Sequence, residues 1–91
     1  MPYIVNEKRE KISPAVMELM TKLEHKGDYN YAISLLIHTY IERNGLSYDN
    51  LNDAVGILEC AKAEFIRTVV SPYEDQKIKD NGHISGLDKK D

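Results

Sequence analysis

The sequence predicts an all-α fold, an antiparallel helical hairpin or three-helix bundle with a short C-terminal helix and a flexible tail. Three observations predict it. Apolar residues recur at helical spacing through three long stretches, glycine stop signals at Gly27, Gly45 and Gly82 divide them, and alternation of the kind strands need is confined to Tyr3-Ile4-Val5, which serves equally well as an extended arm.

Ser13-Pro14 reads as the start of the first helix, with a hydroxyl to cap orphan amides and a proline preset for the first helical position. Ile12, Val16, Leu19, Met20 and Leu23 then form one apolar stripe, and Lys26-Gly27 is expected to close the helix. Asp28 follows as the N-cap of the second helix, across a turn so short that the two helices must be antiparallel neighbours. The second helix is expected to end at Asn44-Gly45. At ~100° per residue, Ala32, Ile33, Leu36, Ile37 and Tyr40 share a sector wide enough to face a core, while Tyr31, Leu35 and Ile41 lie outside it among Asn30, Ser34, His38 and Glu42.

Ser47 or Asp49 caps the third helix, which should run to about Val70, because Ser71 precedes a proline and that position resists helical geometry. Tyr48, Leu51, Ala54, Val55, Leu58, Ala61, Phe65, Ile66 and Val69 share its apolar face, with Lys62 inside the same sector. Ser71-Pro72-Tyr73-Glu74 has the form of a capping box and predicts a chain break there, followed by a short helix that stops near Asn81-Gly82. One helical domain over residues 1–82 and a flexible tail over 83–91 follow from this division.

Ninety-one residues make a domain close to the lower size limit for a core without metal or disulfide. The single cysteine, Cys60, has no internal partner and fits a reducing compartment. A net charge of −3 supplies no basic field, which argues against general nucleic-acid binding. No apolar run is long enough to span a bilayer. The histidines are scattered and no His-x-x-x-His pair occurs, so neither a metal nor a cofactor is expected, and no catalytic residue stands out.

Several groups still carry usable chemistry. Asn30, Ser34, His38 and Glu42 recur every four residues and lie along one line of the second helix, either as a polar contact between paired helices or as a strip that reads the edges of a base. Tyr31 beside that line offers a stacking face. Gly56, Cys60 and Ala63 make a small-residue patch suited to close helix pairing or to a ligand, and Arg67 near it suits an ion pair or a phosphate. Lys62 either snorkels or directs its charge into an enclosed polar site. Tyr73 and Lys77 gather a phenol and an amine near the break.

Met1-Pro2-Tyr3-Ile4, Gly27-Asp28-Tyr29-Asn30-Tyr31, Gly56-Ile57-Leu58-Glu59-Cys60 and, above all, Pro72-Tyr73-Glu74-Asp75-Gln76-Lys77-Ile78-Lys79-Asp80-Asn81-Gly82 resemble a family of small proteins from bacteriophage and viral-metagenome genomes. The resemblance implies a host-cytoplasmic setting and transfers no activity. In size and helical pattern the chain is also similar to the phage proteins that sequester cyclic nucleotide signals in anti-CBASS and anti-Thoeris counter-defence, although their binding motifs are not seen.

The expectation is therefore a non-enzymatic counter-defence protein that binds a cyclic nucleotide or an ADP-ribose-type ligand as a homo-oligomer. Its ligand-binding candidates are Tyr31 and Tyr73 for stacking, Asn30 and His38 for polar edges, and Lys62, Arg67 and Lys77 for phosphate. The alternatives are an interaction module that inhibits a host protein and, further off, a small metal-dependent hydrolase.

Overall fold

The computed structural model describes residues 2–89; Met1 of the expected arm and Lys90 and Asp91 of the expected tail lie outside them. The fold is all-α. Helix α1 spans Asn6–Met20, α2 Lys26–Asn44, α3 Tyr48–Phe65 and α4 Ser71–Asn81. A π turn at Ile66–Val70 joins α3 to α4, and a single 3₁₀ turn at Gly86–Asp88 follows.

Helix α1 begins well before the expected Ser13 and runs through Pro14. The cap signal at Ser13 is overridden because Glu7, Lys8, Arg9, Glu10 and Lys11 are good helix formers. Pro14 then leaves only the Glu10 carbonyl without its helical donor. At the other end α1 stops at Met20 rather than near Lys26, in tight turns where the Thr21, Lys22 and Leu23 amides donate to Glu18, Leu19 and Met20. Gly27 is therefore no helix terminator but part of the first turn of α2. Asp28 is likewise not the N-cap. It stands three residues into α2 and reaches back, one carboxylate oxygen accepting from the amides of Glu24 at 2.9 Å and His25 at 3.1 Å.

The next corner follows its sequence closely. Gly45 takes φ 105°, a backbone angle that favours glycine, and its amide donates to the Ile41 carbonyl. Ser47 Oγ caps α3 by accepting from the Asn50 amide. Asn50 closes the turn from the far side, its side-chain amide donating to the carbonyls of Asn44 and Gly45, each at 2.9 Å. With so short a link α3 returns along α2, and the two pack together as an antiparallel hairpin.

The expected break at Ser71-Pro72 is absent. Ser71 has helical angles and its amide donates to Ile66, five residues back, so no capping box forms with Glu74. Proline cannot donate to the carbonyl four residues before it, and its ring collides with that group in a regular helix. The widened π turn relieves that conflict without interrupting the rod. From Tyr48 to Asn81 the chain is one continuous helix about 50 Å long by the standard rise, which matches the longest molecular dimension of 49 Å.

Little is enclosed by this arrangement. Ala54 is the one buried residue among those described. Ile33 and Leu36, expected in the core sector of α2, are exposed, whereas Ile37, Tyr40 and Ile41 are half-buried beside α3. The broad apolar face of α3 is also open, with Val55 60% and Phe65 59% exposed. The radius of gyration is 17.7 Å, against about 12 Å for a compact chain of this length. The accessible surface is 8379 Å², about 3000 Å² more than a compact monomer of this mass exposes.

Candidate functional site

The corner between α1 and α2 shapes the more apolar of two grooves. Asp28 closes this corner by accepting from the Glu24 and His25 amides, but α1 and α2 do not pack along each other as the expected antiparallel neighbours, and only Leu19 of the last turn of α1 reaches the groove. Those two amides also hold the Asp28 carboxyl below the usual carboxylate range, so it stays ionised near neutral pH. The groove has a volume of about 430 Å³. Leu19 and Leu23 form one wall and Ala32, Leu35 and Leu36 the other, with Tyr31 also lining it. Lys22 and Asp28 bring the charges, Lys22 being weakly tied to Glu18 at 3.7 Å.

The second groove, of about 400 Å³, lies over the small residues of α3. Gly56, Ile57 and Cys60 line it together with Tyr40 of α2 and Pro2 of the N-terminal arm. The arm is neither a strand nor fully extended: the Ile4 amide donates to the Pro2 carbonyl at 3.2 Å, a tight turn about Tyr3. Tyr3 donates its hydroxyl to Glu64 Oε1 at 2.6 Å, and Arg67 Nη2 donates to the same oxygen. Arg9 Nε donates to the Ile4 carbonyl at 2.8 Å, which ties the arm to the first turn of α1. Both donors converge on the one carboxylate oxygen. The Arg67 guanidinium, and then the Tyr3 hydroxyl, hold the Glu64 carboxyl below its ordinary range, while accepting from Tyr3 raises the phenol above its own.

The sequence candidates fall into separate places. Tyr31 enters the α1/α2 groove. Asn30 accepts from the Ser34 hydroxyl at 3.5 Å along the expected polar line, and His38 is exposed one turn further on. Lys62 is exposed within the open apolar face of α3. Arg67 is engaged by Glu64, and Lys77 lies 5.4 Å from the ring centroid of Tyr73, a cation–π pair within α4. One chain therefore does not gather the seven residues at a single point. Lys22 and Asp28, which do share the groove with Tyr31, escape a reading by helical face because Lys22 stands in the turns after α1 and Asp28 in the first turn of α2. A helical wheel drawn for either helix alone cannot pair them. No group of His, Cys, Asp and Glu among the described residues is arranged to hold a metal ion.

The family model described as a domain of unknown function, DUF6899, matches residues 1–84. The chain belongs to this family. In this DUF6899 protein the matched span takes in the arm, all four helices and both grooves, and stops before the Gly86–Asp88 turn. No curated protein and no solved structure matches the DUF6899 chain. No helix among its described residues is long and apolar enough to cross a membrane.

Proposed function

We propose that the protein acts by capture rather than turnover: a non-enzymatic phage counter-defence protein that sequesters a nucleotide-derived immune signal of the host, working as a homo-oligomer in the host cytoplasm. The observation that supports this reading is the α1/α2 groove. Its volume of about 430 Å³ lies in the range of small-molecule sites, roughly 300–1,000 Å³. Its walls are apolar, Tyr31 presents an aromatic face, Lys22 an ammonium for phosphate, and Asp28 an acceptor for a ribose hydroxyl or an exocyclic amine. Base stacking on such an aromatic contributes about 1–3 kcal/mol.

A thermal-shift panel of cyclic di- and trinucleotides and ADP-ribose derivatives tests it. A captured ligand present at about 100 times its Kd stabilises the native state by about 2.7 kcal/mol. Tyr31→Ala and Lys22→Ala are expected to abolish the shift, and intact ligand is expected back after denaturation. Absence of a shift with every nucleotide overturns the reading, and release of cleavage products with magnesium transfers it to hydrolysis. Co-purification of a host protein in place of a nucleotide favours an inhibitory interaction module, for which the open apolar face of α3 is the supporting observation.

A further inference from the structure

The apolar face of α3 is covered by nothing among the described residues. Leu51, Val55, Leu58 and Phe65, with Lys62 among them, recur at alternating intervals of four and three residues, the spacing of a coiled-coil seam, and Val69 follows at the end of the row in the π turn. All six are exposed. Helix α2 packs elsewhere, on the side of the buried Ala54, and the N-terminal arm lies on a third side, over Gly56, Cys60 and Glu64.

We propose that a second copy of this chain covers the seam, with the two α3 helices antiparallel about a two-fold axis. Area supports a permanent contact. The chain as a whole, the seam included, exposes about 3000 Å² beyond what a compact monomer of its mass does, so each copy has surface to spare on the scale of an obligate homodimer, which buries roughly 2,000–5,000 Å² over both partners. A transient partner would leave that surface in water for part of the protein's life.

Charge and size select the direction. In a parallel pair Lys62 meets its own mate within the seam, as does Phe65, which places two ammonium groups together and two rings in one layer. In the antiparallel pair centred near residue 60, Leu51 lies opposite the second copy's Val69, Val55 opposite Phe65, and Leu58 opposite Lys62. Large side chains then face smaller ones. The Lys62 ammonium emerges beside Glu59 of the second copy, and among the described residues neither group forms an ion pair within its own chain. Two lysines and two glutamates thus close a neutral ring at the centre. The two α2/α3 hairpins become a four-helix assembly, and each α4 extends past the other chain's Gly45 corner. The seam deepens the homo-oligomer of the capture reading, while the Tyr31 groove takes no part in it, so a ligand shift can fail with the dimer intact and a broken seam leaves the groove to be judged by its own ligand shift.

Cross-linking tests the register. Chains carrying Cys60→Ser with Val55→Cys are mixed with chains carrying Cys60→Ser with Phe65→Cys and oxidised mildly. A disulfide-linked dimer is expected in the mixture and in neither component alone. Linkage of the Val55→Cys chain to itself overturns the antiparallel arrangement, and a monomeric mass for the unaltered protein at tens of micromolar by light scattering overturns the second copy altogether. Charge reversal supplies a second readout in the same solution measurement. Lys62→Glu is expected to weaken the dimer about tenfold or more, and adding Glu59→Lys to restore it. Failure of the double reversal to restore association overturns the ring.

Discussion

Glu64 is where the N-terminal arm is decided. Its Oε1 accepts from both Tyr3 and Arg67, one group from the arm and one from the π turn. Because the folded Glu64 carboxyl lies below its ordinary range, its contribution is complete above the unfolded pKa of about 4.3 and is lost as pH falls through the lower folded value. The Tyr3 phenol lies above its ordinary range, so its contribution is complete below about pH 10 and is lost as pH rises through the higher folded value. The arm is therefore expected to stay docked across the neutral range and to release at both extremes. Tyr3→Phe is expected to release it at neutral pH as well. Protease cleavage near residues 2–5, followed by mass spectrometry, reads both; a cleavage rate insensitive to Tyr3→Phe would show that the hydroxyl does not hold the arm.

At the scale of elements, two glycines carry opposite expectations. Gly45 has φ 105° and ψ 152°, a region closed to other residues, so Gly45→Ala is expected to destabilise the protein by about 1–3 kcal/mol. Gly27 is helical and an added methyl there meets open space. Gly27→Ala is expected to stabilise by about 0.4–1 kcal/mol. Denaturant unfolding of the two variants beside the parent checks both signs. The elements themselves were legible where local chemistry decides. Ser47, Gly45 and Gly82 mark ends of helices because capping and positive φ involve only neighbouring residues. The two prolines misled for the converse reason. Nothing adjacent to Pro14 reveals that the charged segment before it is helical, and nothing adjacent to Pro72 reveals a π turn ready to accommodate it. The groove was only half legible, through Tyr31, since Lys22 and Asp28 join it by way of a corner between helices.

For the whole molecule, periodicity identified which residues share an apolar face but not what lies against it. The α3 stripe was expected to face a core within the chain, and α2 covers only the side of Ala54. Tyr31 and Leu35 on the spare face of α2 are exposed as well, so uncovered apolar surface lies on both helices of the hairpin. A chain stabilised by its own copy is expected to melt at a temperature that rises with protein concentration. Circular dichroism melts over a hundredfold dilution series measure this, and a concentration-independent midpoint would speak against assembly.

Ala54 buries one small methyl group, and no other described side chain is withdrawn from water to that degree. Under the proposed pairing, a ribosome releases helices that bury little on their own, and much of their stabilisation comes by encounter with a second copy. Accumulation in a cell then depends on how fast synthesis outruns proteolysis. The pairing then predicts an abundance that rises more steeply than the message, because at low expression single chains meet proteases before they meet one another.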